Sequence, residues 1–341
     1  MQEWMKALND DPLPWLLEPD PQNPGVRYFA LTDLLDRPAD DPEVLDARCS
    51  VMSSGPVATI LEAQEPDGYW AQPGPGYRPK YRSTVWSVIM LAQLGADGSD
   101  PRVRQAGQHI LEHTIASSGA FSVTGTPSGA ILCLAGNLSA ALLDLGYLGD
   151  ERLQGALEWL AKVVTGKGIA TAEETDAPLR FLKSGTCGPG FCCSANNKLP
   201  CAWGAVKTML AFSKVPDNSR TALIRDAIET GMEFLLSRDP ALADYPMGWS
   251  AKPSRSWFKF GFPIFYVTDV LQNLEVLTAF GYGTDRRLPA AIDLLLEKQD
   301  QQGRWKMEYT YNGKTWVDIE EKGKPSKWVT LRALRVLKRR E

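Results

Sequence analysis

The chain has 341 residues, of which 44% are hydrophobic and 23% charged, so it can bury a core and is not a disordered protein. Its 37 Lys and Arg residues are nearly balanced by 41 Asp and Glu residues, which argues against nucleic acid as a partner because phosphate binding needs a basic surplus. No segment approaches the ~20 apolar residues of a membrane span. The first residues lack the layout of a signal peptide, so we expect a cytoplasmic protein.

Amphipathic and apolar segments alternate along the chain. After an irregular extension over residues 1–25, an apolar segment covers 26–36, and each later amphipathic segment is followed by an apolar one. The spacing of roughly 50–70 residues is typical of a repeated helical hairpin. The pairs are 56–63 with 83–95, 102–115 with 129–147, 151–164 with 200–215, 219–237 with 263–282, and 288–298 with 326–338.

The alternation predicts which helices are buried. An amphipathic helix keeps one face in water, whereas a helix that is apolar all round is buried on most sides. Six pairs can close into a ring with the apolar helices inside, so we predict an all-α protein with a single (α/α)6 toroid over residues 1–341. An open solenoid is the alternative, but it would leave a large apolar concave face exposed. In the closed ring the inner helices run parallel, with their N-termini at one end.

A motif of the form Q-x-x-x-G-x-W occurs twice, at Gln64–Trp70 and at Gln299–Trp305, each time after an amphipathic segment. It resembles the QW motif of squalene-hopene cyclases and related terpenoid cyclases, which occurs in looser form in protein prenyltransferase β subunits. From about residue 26 to 338 the chain is similar to bacterial prenyltransferase/squalene-oxidase-repeat proteins. The resemblance implies an α/α toroid with an isoprenoid or other hydrophobic substrate in its axial cavity. In the motif itself, we expect Trp to stack on the Gln amide and to cap an outer helix.

The chain differs from these families in the motifs that carry out their reactions. It lacks the D-x-D-D motif of the cyclases and the D-D-x-x-D motif of terpene synthases, and its only histidines, His109 and His113, are predicted to form a solvated pair on an outer helix. We therefore predict a terpenoid-cyclase-like or prenyltransferase-like enzyme, with a non-catalytic lipid- or partner-binding toroid as the alternative. A carbohydrate-active toroid is a third hypothesis, which rests on two acidic pairs, Glu173 with Glu174 and Asp318 with Glu320.

Five of the six cysteines lie in the middle third of the chain. One is early in the third inner helix, one is at the start of the fourth, and three are in the Gly-rich loop that leads into it. Parallel inner helices would bring the first two together, and the loop could add further thiolates to complete a tetrahedral, structural zinc site. An iron–sulfur cluster is a lesser option and unligated buried thiols are the alternative. The five residues are Cys133, Cys187, Cys192, Cys193 and Cys201.

Aromatic and basic residues precede several inner helices. The aromatic rings would suit an isoprenoid chain and could stabilise a carbocation, and the lysines could attract an anion such as a diphosphate. Ordinary core packing and solvated loops are the alternatives. The predicted substrate-binding residues of this kind are Trp86, Trp203, Phe262 and Trp328, together with Lys80 and Lys327.

Polar residues also occur within the apolar segments. Tyr266, Asp269 and Asn273 would share one face of a fifth inner helix over 263–282. We predict Asp269 as the catalytic acid with Tyr266 beside it, and Asn273 and Asn137 as substrate contacts, because an apolar cavity raises a carboxyl pKa. A helix cap or an inter-helix hydrogen bond is the alternative for Asp269, and a role near the metal is the alternative for Asn137.

Overall fold

The computed structural model describes residues 3–168 and 187–340, and most of this part of the chain is helical. The α-helices are α1 (Leu13–Leu17), α2 (Pro24–Phe29), α3 (Pro42–Ser53), α4 (Gly55–Glu62), α5 (Thr84–Gln93), α6 (Pro101–His113), α7 (Leu132–Asp144), α8 (Glu151–Thr165), α9 (Ala202–Ser213), α10 (Ala222–Leu235), α11 (Val270–Ala279), α12 (Pro289–Glu297) and α13 (Lys327–Arg339). Helix α2 continues into a π-helical turn over Ala30–Leu34. A short antiparallel hairpin joins β1 (Cys187–Gly188) to β2 (Cys192–Cys193).

Several helices begin where the local sequence supplies a cap. The Asp100 and Asp150 carboxylates accept hydrogen bonds from first-turn amides of α6 and α8, and Thr221 and Ser326 do the same for α10 and α13. Pro101 occupies the first position of α6, where its missing N–H removes no helical hydrogen bond.

Burial alternates from helix to helix as the sequence predicts. In α5, every residue from Thr84 to Ala92 is buried, and in α7 every residue from Leu132 to Leu142 is buried. In α6 and α10, by contrast, the buried residues lie on one face. Among the described residues, none of the helices combines the length and the apolar character needed to cross a membrane.

The buried helices contact one another in series. Helix α7 packs on α5 and α9, α11 packs on α9 and α13, and α13 packs on α2. The α7–α9 crossing is close because a Cβ at Gly136 would lie 2.5 Å from the Lys207 carbonyl carbon. Helix α2 in turn meets the end of α5, where a Cβ at Gly25 would lie 2.2 Å from the Leu94 carbonyl oxygen. One large apolar core runs through these helices.

The two Q-x-x-x-G-x-W segments make matching contacts. The indole N–H of Trp70 donates to the Ile60 carbonyl at the end of α4, and that of Trp305 donates to the Leu295 carbonyl at the end of α12, each at 2.7 Å. The backbone N–H of each Trp donates to a threonine hydroxyl of the following buried helix, Thr84 at 3.1 Å and Thr330 at 3.0 Å. Each indole N–H thus satisfies one of the carbonyls at a helix C-terminus that have no hydrogen-bond donor within the helix.

The glutamines of the two segments reach across to other parts of the chain. The Gln64 amide donates to the Arg102 carbonyl at 2.9 Å, and the Gln299 amide oxygen accepts from the Asn9 N–H at 2.8 Å. Each motif therefore fixes a helix end through its Trp and ties that end to a neighbouring segment through its Gln.

The fifth apolar segment differs from its prediction. Helix α11 begins at Val270 rather than at residue 263, and Asp269 is its N-cap. The helix cannot extend further back because the preceding residues run as a non-helical segment that includes Pro263. Tyr266 and Asp269 therefore do not share a helix face with Asn273.

Candidate functional site

A cavity of about 450 Å³ lies between the buried helices, toward their C-terminal ends. Helix α2 with its π-helical turn, α5, α7, α9, α11 and α13 each contribute residues to its wall. Its volume falls in the range of small-molecule sites in proteins.

The charged part of the wall is built from ion pairs. Arg332 pairs with Glu275 at 2.7 Å, Arg335 with Asp33 at 2.6 Å, and Lys214 with Asp144 at 2.7 Å. Burial alone would raise the pKa of the Asp33 carboxyl, but the Arg335 guanidinium and a hydrogen bond from Thr32 hold that pKa below its usual value. Each carboxylate of the described wall therefore lies in an ion pair with a cation of the wall.

One cation of the wall has no such partner. Arg339, in the last turn of α13, has no carboxylate in an ion pair among the residues that the structure describes, and it is exposed at the opening of the cavity. Although the residue as a whole is exposed, partial burial of its guanidinium and the neighbouring Arg335 lower the pKa of Arg339, while the Glu275 and Asp33 carboxylates oppose this shift. Arg48 also lines the wall and pairs at 3.0 Å with Asp97, which lies outside it.

The remainder of the wall is apolar. Four alanines of three buried helices leave the space that the cavity occupies, namely Ala92, Ala140, Ala141 and Ala279 with their small side chains. The larger apolar side chains of the wall are Phe29, Ile89, Leu210, Phe262 and Ile264. The cavity thus combines an apolar surface with a charged one.

Residues 261–266 close the cavity on the side away from its opening. The Gln93 side chain donates to the Ile264 carbonyl and accepts from the Ile264 N–H, both at 2.7 Å. Asn137 donates to the Phe265 carbonyl at 3.1 Å, and Arg332 donates to the Gly261 carbonyl at 2.8 Å. Side chains of α5, α7 and α13 all bind the backbone of residues 261–266, which we call the axial segment. This segment is therefore a fixed part of the interior.

Aromatic residues fill the space beyond the axial segment. Trp86 meets Phe265 edge-to-face at 5.3 Å and Tyr266 at 5.2 Å between ring centroids. Tyr81 and Tyr311 lie against the same Phe265 ring at 5.4 and 4.7 Å. These rings pack on each other in the geometry usual for aromatic cores.

The predicted acid, Asp269, is 2% exposed and holds two structural elements together. Its carboxylate accepts from the Gln272 N–H at 2.7 Å as the N-cap of α11 and forms a bidentate pair with Arg332 at 3.0 and 3.1 Å. Asp269 is not among the cavity-lining residues of the described chain. These are the contacts of the capping alternative, and a catalytic role for Asp269 stays a prediction. Burial, together with the neighbouring Tyr77, raises the pKa of the Tyr266 hydroxyl.

Of the predicted substrate-binding residues, Asn137 and Phe262 line the cavity. The others have partners elsewhere. Trp328 stacks on Phe262 at 4.3 Å, Asn273 donates to the Tyr245 hydroxyl at 3.0 Å, and Lys327 pairs with Asp20 at 3.2 Å. The remaining three are Trp86 in the aromatic cluster, Lys80 beside the Tyr77 and Tyr266 rings, and Trp203, which is half-buried in α9.

Four of the five predicted metal ligands are near one another. The Cys187 and Cys193 backbones pair in the β-hairpin, Cys201 caps α9 and Cys133 is in the first turn of α7. A hydrogen bond with Cys133, together with burial, raises the pKa of the Cys201 thiol to about 12. The pKa of Cys193 is raised by its hydrogen bond with Cys201, and that of Cys187 by burial and by Cys193.

The fifth cysteine, Cys192, is half-exposed, and burial and Cys193 raise its pKa. Within residues 3–168 and 187–340, no three His, Cys, Asp or Glu side chains are positioned to hold a metal ion as they stand.

The acidic pairs of the third hypothesis form no catalytic pair in the described chain. Glu320 is buried and accepts from the Ser326 hydroxyl and the Lys327 N–H, whereas Asp318 accepts from the Gly313 N–H at 2.6 Å. Glu173 and Glu174 lie outside the described residues.

The prediction of a solvated histidine pair is wrong for His109. His109 is buried with its ring nitrogen 3.2 Å from the Gly74 carbonyl, because the loop after α4 covers it.

Sequence reasoning missed the charged residues inside the molecule. Arg332, Arg335 and Arg339 follow i, i+3, i+7 spacing along one face of α13, and this periodicity was the available signal. Lys207 of α9 is completely buried, with its ammonium donating to the Gln272 amide oxygen. A lone lysine within the apolar sequence AWGAVKTMLAF was the corresponding signal.

Comparison with known proteins gives similar solved structures. Neither a protein-family model nor a curated protein matches the sequence. The type II terpene cyclase MstE from Scytonema is similar at 17% identity, both as the apo protein (TM-score 0.31, 82% of this chain and 95% of that chain) and as a variant bound to merosterolic acid A, its product (0.33, 83% and 94%). Another MstE variant, bound to its substrate geranylgeranyl dihydroxybenzoate, gives a TM-score of 0.33 at 17% identity over 83% and 95% of the two chains. Identity and TM-scores at this level transfer neither a reaction nor a residue role.

Proposed function

We propose that the chain forms a single (α/α)6 toroid whose central cavity binds a small hydrophobic molecule of the isoprenoid type. The contacts from α5 through α7, α9, α11 and α13 to α2, and from α2 back to the end of α5, support a closed ring. All of these helices line the same cavity, and the apolar part of its wall suits a hydrocarbon chain.

The observation that favours this proposal over a cyclase is the ion pairing of the carboxylates in the wall. Protonation of an alkene requires a neutral carboxylic acid, which proteins keep neutral by burial without a cation nearby. Asp33, Asp144 and Glu275 are each paired with a cation instead. Within the described chain, the cavity is therefore built to hold a ligand rather than to protonate one.

Enzymatic conversion of an isoprenoid is the second candidate function. Phe29 and Phe262 face the cavity, and aromatic faces can stabilise a developing carbocation. This candidate needs either an acid in the wall or a leaving group on the substrate, and each carboxylate of the described wall is in an ion pair, so it ranks below binding.

The binding proposal is tested by titrating the full chain with farnesol, a neutral isoprenoid alcohol, in a calorimeter. We expect saturable binding that is lost in Ala140→Leu, because the added side chain would occupy the cavity. The matched control is Ala290→Leu on the exposed surface of α12. Equal binding by both variants would contradict the proposal, and release of an altered alcohol would favour the enzymatic candidate.

We also propose that zinc stabilises the fold at Cys133, Cys187, Cys193 and Cys201. The donor set fits a structural tetrathiolate site, because one hairpin and two helix starts bring the four thiols together. Zn²⁺ would deprotonate the thiols and so reverse the raised pKa values of Cys187, Cys193 and Cys201. The hairpin would have to draw the sulfur atoms closer together on binding.

Metal analysis of the purified protein tests this second proposal. We expect about one zinc per chain, lost in Cys193→Ser and retained in Cys49→Ser, since Cys49 is exposed and remote in sequence from the cluster. If the protein is purified without metal and has the same stability with and without added zinc, the zinc site is ruled out.

A further inference from the structure

We propose that the cavity takes an amphiphile with an anionic head group, carboxylate or phosphate, which Arg339 and Arg335 bind at the opening while the apolar tail extends inward. This inference rests on the proposed binding function and adds the chemical class of the ligand.

The charge of the cavity wall carries the first step. Five cationic side chains and three carboxylates line it, namely Arg48, Lys214, Arg332, Arg335 and Arg339 against Asp33, Asp144 and Glu275. Arg48 is compensated by Asp97 from outside the wall. Arg332 is likewise paired with Asp269 from outside the wall, so the cations and carboxylates balance in number, but Arg339 is the one cation of the wall without an ion-pair partner within the described chain.

Unused hydrogen-bond donors carry the second step. The Nε atoms of Arg335 and Arg48 are buried and have no partner in the described structure. A buried N–H without an acceptor costs free energy, and a ligand oxygen recovers it when the guanidinium turns its Nε toward the cavity, to which neither Nε is exposed in the structure. The Arg335 guanidinium is held 4.6 Å from the Phe29 ring centroid and bound by Asp33, so it is fixed in place before a ligand arrives.

The arrangement of polar and apolar surfaces sets the ligand's orientation. Arg339 is exposed at the C-terminal end of α13, whereas Phe262 and Ile264 of the axial segment are buried on the opposite side of the cavity. The axial segment closes the far side, so a tail can enter only with the head group left at the opening. A ligand with both a charge and a hydrocarbon chain would satisfy both surfaces.

The alternative role of Arg339 is stabilisation of the C-terminus of α13, where a cation interacts favourably with the helix dipole. That role predicts an effect of substitution on stability and none on ligand affinity.

Calorimetric titration of the full chain with four probes tests the inference. The probes are dodecyl phosphate, dodecanoate and 1-dodecanol, each below the concentration at which it aggregates, and inorganic phosphate. We expect both charged amphiphiles to bind at least about tenfold more tightly than 1-dodecanol, because a charged hydrogen bond contributes that much. Inorganic phosphate should bind more weakly than dodecyl phosphate, and the stronger of the two amphiphiles identifies the head group.

The Arg339→Gln variant should lower the affinity for the better charged amphiphile about tenfold and leave that for 1-dodecanol unchanged. Arg340→Gln is the matched control, because Arg340 is exposed next in sequence and is outside the described cavity wall. Added salt should weaken binding of the charged probes only.

Equal affinity for 1-dodecanol and dodecyl phosphate would overturn the anionic head group and leave cavity binding intact. Inorganic phosphate binding as tightly as dodecyl phosphate would overturn the amphiphile. Arg339→Gln that lowers stability without changing affinity would assign Arg339 to the helix dipole and overturn the inference. If neither farnesol nor any of these probes binds, the proposed function fails with it.

Discussion

At the scale of single residues, buried ion pairs define what the interior can do. Arg332 is buried between Asp269 and Glu275, and although burial would lower the pKa of its guanidinium, the two carboxylates keep that pKa raised. Both carboxylates that pair with Arg332 are therefore held by its guanidinium. The same pairs make the interior sensitive to loss of one partner.

Asp269→Asn should lower the free energy of unfolding by about 2 kcal/mol, because it removes the charge from a bidentate pair with Arg332, whose guanidinium Glu275 still compensates. Asparagine can still cap α11, so the cap itself contributes little to the change. Urea denaturation measures it, with Asp285→Asn in an exposed pair with Arg287 as the control, expected to cost about 1 kcal/mol or less. Unchanged stability, with loss of a measurable turnover, would restore Asp269 as a catalytic acid.

Lys207 should make stability depend on pH between 7 and 8.5. Burial lowers the pKa of its ammonium to about 7 in the folded chain, with Cys133 and Asp269 opposing the shift. Above that pKa the unfolded chain binds one proton more than the folded chain, so this group makes stability rise with pH by up to about 1.4 kcal/mol per unit.

The difference between wild type and Lys207→Met in urea unfolding, measured at several pH values, isolates the effect of Lys207. The exposed Lys252→Met variant is the control and should show the slope of the wild type. Parallel curves for wild type and Lys207→Met would show that the ammonium stays charged in the folded protein.

At the scale of elements, the helices and their order follow from hydrophobic periodicity. The segment 83–95 corresponds to α5 (Thr84–Gln93) and 200–215 to α9 (Ala202–Ser213), so the prediction holds to within a few residues. Periodicity failed at 263–282, because an extended buried segment and a buried helix are equally apolar in sequence. The distinguishing fact, that Gln93 and Asn137 bind its backbone, exists only in the folded chain.

The two tryptophan caps should contribute alike to stability. Trp70→Phe and Trp305→Phe each remove an indole N–H and leave a buried helix-end carbonyl unpaired, at an expected cost of about 1–3 kcal/mol in the free energy of unfolding. Trp249→Phe is the control, because its indole also bonds to a backbone carbonyl but is 73% exposed. A cost for either cap no larger than that of the control would show that the indole N–H is not a structural cap.

At the scale of the whole molecule, the sequence predicted an aromatic, isoprenoid-binding mouth at the N-terminal ends of the inner helices. In the structure the rings there pack on one another around the axial segment, and the cavity lies toward the other end. Composition cannot distinguish rings that fill a core from rings that line a cavity, since both are apolar clusters. The basic residues of LRALRVLKRR cannot be assigned to a cavity wall from the sequence, because their meeting with Asp33 and Phe29 depends on the contact between α13 and α2.

A crystal structure of the full chain grown with dodecyl phosphate tests the central claim most directly. The account predicts one amphiphile in the cavity, with its tail against Leu210 and Phe262 and its phosphate at Arg335 and Arg339. A cavity filled by the protein's own side chains, or an amphiphile bound elsewhere on the molecule, would contradict it.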